Sequence, residues 1–224
     1  MILLDYNGIG ISSLMRQLAA DKSIQVDENL FRHIFLSQIL YYRKRFHTKF
    51  GEIVICTDDG MRYWRRTAYK HYKSGRKKKR DDSKYDWPQI WHSMEQVKNE
   101  LRETFPYKVI TATGAEADDI IATLATRAAD EGFEVLICTG DRDSFQLVTS
   151  AITVLYPKRG VSEMARMTPE AVIEKYQMTP TQYPDFAALR GDPSDNLPSI
   201  PGVGEKTAAK WIIEYGSLTN LVKK

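Results

Sequence analysis

The sequence contains no run approaching the ~18 consecutive apolar residues that a membrane-crossing helix requires. Its first residues, Met1-Ile2-Leu3-Leu4-Asp5, have neither the basic flank nor the long apolar core of a secretion signal. Cysteine is nearly absent: Cys56 and Cys138 are the only two, and each ends an apolar run that reads as a buried strand. That argues against a disulfide framework and for a reducing, cytoplasmic setting with no membrane partner. There is no internal repeat and no low-complexity tract apart from one basic stretch. The four histidines form no Ser-His, Cys-His or zinc-type constellation. With 224 residues, 42% hydrophobic and 27% charged, the chain is neither collagen-like nor largely disordered. It reads as one large domain, or one and a half small ones.

The net charge is only +3, but it is unevenly spread. Residues 1–110 carry 21 Lys and Arg against 13 Asp and Glu, a balance of +8; residues 111–224 carry 11 against 16, a balance of −5. Such a split points to a polyanion-binding surface beside an acidic, cation-loaded centre.

Ile2–Leu4 ends at Asp5, Glu52–Thr57 ends at Asp58, and Glu134–Thr139 is followed by Gly140-Asp141. Short apolar runs of this kind, separated by helix-length stretches, read as buried parallel strands. Asp27–Lys49 and Glu116–Asp130 carry apolar residues at helical spacing between them. The expected fold class is therefore α/β, a mainly parallel sheet flanked by helices, in which ligands bind beyond the carboxyl ends of the strands. Asp5, Asp58 and Asp141 all fall at that edge. Beyond residue 150 the pattern predicts a strand at Ile152–Tyr156 and a turn region at Val161–Met167. Helices follow at Pro169–Tyr176, Pro180–Arg190, Glu205–Glu214 and Ser217–Val222.

Acid is concentrated in Glu116-Ala117-Asp118-Asp119, in Asp141-Arg142-Asp143 and in Asp192-Pro193-Ser194-Asp195. With Asp5 and Asp58 this makes nine carboxylates at element ends. Oxygen-only donors select hard cations, Mg²⁺ or Mn²⁺, over Zn²⁺, and so much negative charge in one place calls for cations to neutralise it. Two such ions about 4 Å apart would activate water and stabilise the leaving oxygen of a phosphodiester. Any one of these residues taken singly reads as a helix cap or a solvated turn, and Asp59, Asp81 and Asp82 are read that way.

Residues 62–80 hold ten Lys or Arg and four aromatics, with no acid before Asp81. This suits phosphate contacts from the cations and base stacking on the rings. Arg65, Tyr69, Tyr72, Lys73 and Arg76 recur at three- and four-residue spacing, so the pattern predicts one helix face, with Arg76–Arg80 and the residues after it ordering on binding. Near the end, Pro201-Gly202-Val203-Gly204-Glu205-Lys206 sets two glycines before a helix. There backbone amides and the helix dipole favour a phosphate, and Lys206 and Lys210 lie one turn apart. The string reads as duplex-backbone binding without sequence readout.

These strings resemble the 5′-nuclease (flap endonuclease) superfamily over nearly the whole chain. Glu116–Asp119, Gly140–Leu147 and Phe186–Trp211 are very similar to the 5′-nuclease domain of bacterial DNA polymerase I. The first part, with Asp5 and Tyr63–Arg66, is more similar to the phage RNase H (flap endonuclease). Arg65–Arg76 fits the pattern common to both, Arg-x-x-Ala-Tyr-x-x-Tyr-Lys-x-Gly-Arg. A mosaic or fusion joined near Thr111–Gly114 would account for the unevenness. The resemblance implies a resolvase-like (PIN-like) core with a helical arch and a C-terminal helix-three-turn-helix subdomain. It implies a divalent-metal-dependent enzyme that removes 5′ flaps, and RNA primers from RNA–DNA hybrids, in replication and repair.

Carried over by position, Asp5, Asp58, Glu116 and Asp118 resemble the first metal cluster, with Asp119 close by. Asp141, Asp143 and Asp195 resemble the second, supported by Asp192. In the arch, Lys73 and Arg76 would contact the scissile phosphate and Tyr72 would stack on the terminal bases, beside Arg65 and Tyr69. Gly202, Val203, Gly204 and Lys206, with Lys210, would grip duplex, and a K⁺ ion is implied there. The implied partners are branched or nicked DNA, RNA–DNA hybrid and replication proteins, with the chain a monomer. The expected organisation is a nuclease core over 1–160, including the basic arch at about 62–90, and a duplex-binding region over 161–224. That region is expected to be truncated, since nuclease domains of the family continue for several helices past the equivalent of Lys224. Two other readings stay open: a junction-binding module without catalysis, and a PIN-type RNase, which would lack the glycine hairpin and the basic arch.

Overall fold

The computed structural model describes residues 1–21, 23–60, 63–157 and 164–223. In chain order the first elements are β1 (Ile2–Asp5), α1 (Tyr6–Ala20), α2 (Glu28–Phe50), β2 (Ile53–Thr57), α3 (Trp64–Ala68), α4 (Gly75–Asp81) and α5 (Trp87–Glu103). Then come β3 (Lys108–Thr111), α6 (Ala117–Asp130), β4 (Val135–Cys138), β5 (Ile152–Pro157), β6 (Met164–Met167) and α7 (Pro169–Tyr176). The last are α8 (Tyr183–Arg190), α9 (Glu205–Tyr215) and α10 (Leu218–Val222), with 3₁₀ turns at Arg142–Leu147 and Pro180–Gln182. By contacts the chain divides into two compact units. One is Met1–Tyr63 with Ser83–Gly140, the other Trp64–Asp82 with Asp141–Lys224. The boundary expected at residues 160–161 lies outside the described residues.

The first unit is the expected α/β layer structure. Its strands run in the order β3-β2-β1-β4, all parallel, with Ile2 opposite Ile53 and Leu136, and Val54 opposite Lys108. Ile2, Leu3 and Leu4 and all of Val135–Cys138 are buried, which is why these strands read as continuous apolar runs rather than alternating ones. Parallel pairing puts every carboxyl end at one edge, so the position of Asp5 and the residues after β2 and β4 follows from topology alone. Both cysteines are buried and unpaired. Tyr6, the first residue of α1, donates its hydroxyl to the Met94 carbonyl at 2.6 Å and meets Phe35 edge-on with ring centroids 4.6 Å apart. That contact ties the start of α1 to α2 and α5.

The second unit packs Phe145, Tyr176, Tyr183 and Phe186 ring against ring, with centroids 5.4 to 6.0 Å apart. Two expectations change here and one in the first unit. Within the predicted turn region Val161–Met167, residues 164–167 form β6, antiparallel to β5 with Val154 opposite Met167; 161–163 lie outside the described residues. Met-Ala-Arg-Met has no β-branched residue, so pairing with β5 rather than propensity makes the strand. The predicted helix Pro180–Arg190 begins as a 3₁₀ turn, because Pro184 has no N–H to continue an α-helical ladder. Two helices, α1 and α5, and the edge strand β3 add to the expected elements.

Gly191 ends α8 with φ +68°. A Cβ there would stand 2.6 Å from the Ser199 nitrogen and 2.7 Å from the Pro198 carbonyl carbon, both backbone atoms. Gly191→Ala therefore combines a left-handed backbone with a clash that no rotamer relieves, and should lower the unfolding free energy by about 2–4 kcal/mol. Gly216→Ala is the control: it shares a positive φ, but its Cβ would meet only the Asn220 amide at 3.9 Å, and it should cost about 1 kcal/mol. Urea denaturation followed by circular dichroism separates the two.

Candidate functional site

In the first unit, Asp5 closes β1 and caps α1. Its Oδ1 accepts from the Gly8 N–H at 2.8 Å and its Oδ2 from the Thr139 hydroxyl at 2.9 Å. A Cβ on Gly8 would lie 2.1 Å from Asp5 Oδ2, so the carboxylate keeps its place only because residue 8 has no side chain. Asp58, one residue past β2, accepts from the Asn7 amide at 2.7 Å and from the Ala117 N–H at 2.8 Å. The latter puts it at the positive end of α6. Glu116 is buried, and Asp119 reaches back to accept from the Glu116 N–H at 3.0 Å. Asp59 instead accepts from the Gly114 N–H at 2.9 Å, the structural turn role expected of it. Cys56 lies buried beneath this edge. Burial, followed by the negative charges of Asp5 and Asp118, pushes the Cys56 thiol up to about 12.

In the second unit, Asp141 caps the 3₁₀ turn by accepting from the Asp143 N–H at 2.8 Å. Asp143 is raised to about 6, first by partial burial and then by Asp141, with Asp192 and Asp195 adding and Arg190 opposing. Arg190 Nη2 stands 3.9 Å from Asp143 Oδ1, and its guanidinium lies 5.3 Å from the Phe186 ring centroid. Burial also pushes Asp192 upward, but hydrogen bonds from the Ser194 side chain and from the N–H groups of Ser194 and Asp195 outweigh it and hold that carboxyl low. Asp195 pairs with Arg76 and has Lys73 Nζ at 3.9 Å.

The nine candidate carboxylates divide between the two units. Asp5, Asp58 and the Glu116–Asp119 string gather in one unit, and Asp141, Asp143, Asp192 and Asp195 in the other. Among the described residues, no three of these side chains stand at metal-ligating spacing; protein donors and cations engage many of them instead. The donor chemistry still fits a hard divalent cation. Every candidate ligand is a carboxylate, the donor type such ions prefer.

The basic stretch departs from expectation. Arg65, Tyr69, Tyr72, Lys73 and Arg76 do not share one helix face: α3 ends at Ala68, turns span 69–74, and α4 starts at Gly75. Lys73 has φ +55°, and its N–H donates to the Asp195 carbonyl at 2.9 Å rather than to a helical carbonyl. Tyr72 is buried, at 6% exposure, with Lys73 Nζ 4.9 Å from its ring, whereas Trp64 is 56% exposed beneath the Arg65 guanidinium. Arg62 lies outside the described residues. At the glycine hairpin, Val203 turns its side chain inward and its N–H bonds the Ile200 carbonyl at 2.9 Å. A Cβ on Gly202 or Gly204 would meet nothing within 4 Å, so this backbone is open to an approaching ligand. Lys206 and Lys210 are exposed on α9.

Residues 15–177 match the family described as 5′-3′ exonuclease, N-terminal resolvase-like domain, and residues 178–224 match its C-terminal SAM fold. The chain belongs to the 5′-3′ exonuclease family. Exonucleases of this family are phosphodiester hydrolases. DNA polymerase I of Mycobacterium leprae is 54% identical over 170 residues, 76% of this chain, although the match spans only 18% of that longer relative. In fold, the chain is similar to T5 5′-exonuclease with bound zinc: TM-score 0.80 at 18% identity, covering 100% of this chain and 78% of that one. It is also similar to the T5 D15 flap endonuclease in complex with DNA and metal ions: TM-score 0.77 at 17% identity, covering 100% and 78%.

Sequence reasoning within this family missed the residues that hold the carboxylates. Asn7, Gly8, Thr139 and Arg190 each touch a candidate ligand, and Asn196, within the loop that bears Asp192 and Asp195, binds that loop to the 71–74 turn. Thr139 had a signal, a polar residue closing a buried strand at the sheet's carboxyl edge; the others had none. Thr139→Val is expected to weaken Mn²⁺ binding about tenfold in calorimetric titration, because one Asp5 oxygen loses its donor. The fold itself should lose only about 1 kcal/mol.

Proposed function

We propose that this chain is a divalent-metal-dependent 5′ nuclease that cuts a phosphodiester near a single-strand/duplex junction. Its substrates on this reading are branched or nicked DNA and RNA–DNA hybrid, in replication and repair. The observation that carries the reading is the set of nine carboxylates at element ends in a 5′-3′ exonuclease, four of them in the same unit as a basic segment whose Lys73 and Arg76 face Asp195. Asp5, Asp58, Glu116 and Asp118, with Asp119, would hold one Mg²⁺ or Mn²⁺. Asp141, Asp143 and Asp195, with Asp192, would hold another. The bound ions supply Lewis-acid activation of water and neutralise charge on the phosphate.

The chain's own residues do the rest. Thr139 and Gly8 orient Asp5, and Asn7 orients Asp58. Lys73 and Arg76 offer cationic donors to the scissile phosphate, where charge builds in the transition state. Gly202, Gly204, Lys206 and Lys210 hold duplex through its backbone, with Val203 anchoring the hairpin from within and a K⁺ ion supported at the same turn. Arg65 and Tyr69 add contacts along the strand, and Tyr72 stacks on terminal bases once its ring leaves the interior. We assign the nuclease chemistry to residues 1–160, with the basic segment at about 62–90, and duplex gripping to residues 161–224. The protein would act as a cytoplasmic monomer alongside replication proteins. No described helix is long and apolar enough to cross a membrane.

The deciding experiment is cleavage of an end-labelled 5′-flap oligonucleotide with Mg²⁺, with EDTA, and by Asp141→Ala. Cutting only by the unaltered protein with metal is the expected result. Junction binding with no metal-dependent cutting would leave a binding module instead. Lys73→Ala should lower kcat about 100-fold or more while duplex Kd moves less than about threefold, because its partner is the reacting phosphate. Equal losses in both would remove that role.

A further inference from the structure

Within the second unit, the turn 71–76 and the loop 192–197 are bound to each other along their length, and Asn196 sits at the middle of the contact. Its Nδ2 donates to the His71 carbonyl at 2.9 Å and to the Ser74 hydroxyl at 3.1 Å, so both hydrogens of one amide are spent on a segment more than 120 residues away. On either side, the Lys73 N–H donates to the Asp195 carbonyl at 2.9 Å and Arg76 Nε to the Ser194 carbonyl at 3.4 Å. The loop is closed on itself by paired bonds between Asp192 and Leu197, at 3.0 and 2.8 Å. It is therefore a firm base rather than a second loose strand. Asn196 has φ +59° and Lys73 φ +55°. Asparagine is among the few residues with a Cβ that adopt this conformation readily, and here it also supplies the amide the contact needs. One partner carries Asp192 and Asp195; the other carries Lys73 and Arg76.

We infer that Asn196 is a positioning residue: it fastens the Lys73–Arg76 turn to the carboxylate loop and sets where those two cations stand. It touches no reacting atom. Its meaning for catalysis rests on the nuclease reading, but the fastening is a property of the unit by itself and can be tested without any cleavage of nucleic acid.

Asn196→Gly isolates the amide, because glycine keeps the left-handed backbone without strain and removes both donors. The first readout is limited trypsinolysis of the metal-free protein, with cut sites mapped by mass spectrometry. Cutting after Lys73–Arg80 should speed up about fivefold, as loss of an ordinary hydrogen bond shifts a local opening equilibrium. Cutting elsewhere and the melting temperature should hold. Ser74→Ala, which removes one acceptor and leaves the loop intact, should move the same sites in the same direction by less. The second readout is flap cleavage, where Asn196→Gly should lower kcat about tenfold with KM within about twofold. Unchanged trypsin cutting at the turn in both variants overturns the inference, even if cleavage falls. A protein that cuts no flap but shows the trypsin effect would sink the nuclease reading and leave the positioning role standing.

Discussion

Carboxylates repel one another, and the rest of this structure is arranged around keeping nine of them at the ends of strands and helices. Two devices do it. Five accept a backbone N–H at the start of a turn or helix: Asp5 from Gly8, Asp58 from Ala117, Asp119 from Glu116, Asp141 from Asp143 and Asp192 from Ser194. Such donors carry partial positive charge that cannot swing away, and a helix terminus concentrates it. The second device is a side-chain cation, Arg76 on Asp195 and Arg190 near Asp143. Where both devices are thin the strain shows. Asp143 faces the Arg190 guanidinium at 3.9 Å, and burial first, then the charge of Asp141, raises its carboxyl to about 6.

The sheet was legible because its strands are buried on both faces. Ile2–Leu4, Ile53–Thr57 and Val135–Cys138 read as unbroken apolar runs, and parallel pairing then dictates which end carries chemistry. The elements that were not legible fail for identifiable reasons. In α1, Gly8, Gly10, Ser12 and Ser13 are poor helix formers. The helix exists because Asp5 caps it and because Gly10 allows the Phe31 ring to approach to where a Cβ would be 2.8 Å away. β3 is short and half exposed, so it lacks the buried-run signature. In α5, Ile90, Met94, Val97 and Leu101 are buried at helical spacing, a pattern that periodicity does contain. The candidate ligands could be read from their strand-end positions. Their holders could not, since Asn7 reaches across 51 residues and Thr139 across 134, and no local pattern encodes such pairs.

The basic segment shows the limit of periodicity from the other side. Three- and four-residue spacing is present, yet it carries no signal for the positive φ of Lys73, which interrupts any continuous helix between α3 and α4. Breaking the segment at Lys73 gives two short helices and hands the turn's backbone groups to the 192–197 loop, where carbonyls and an amide are waiting. Local propensity is exchanged for bonds made at long range, and Lys73 and Arg76 end beside Asp195, while Lys77–Arg80 stay together on α4.

The two devices respond differently to a bound cation. A carboxylate has about four lone-pair positions, so Asp5 can keep its bonds to Gly8 and Thr139 and still present electrons to an ion. Its geometry is set before anything binds. Asp195 is held by a charge, and a divalent ion would compete with Arg76 for that charge itself, not for a spare lone pair. For Asp5 a bound ion would therefore add to existing bonds, whereas at Asp195 it would exchange for the pairing with Arg76 and Lys73. Because Asn196 donates to the His71 carbonyl and to Ser74 rather than to a carboxylate, the turn that carries Lys73 and Arg76 would stay fastened if their charges changed partners.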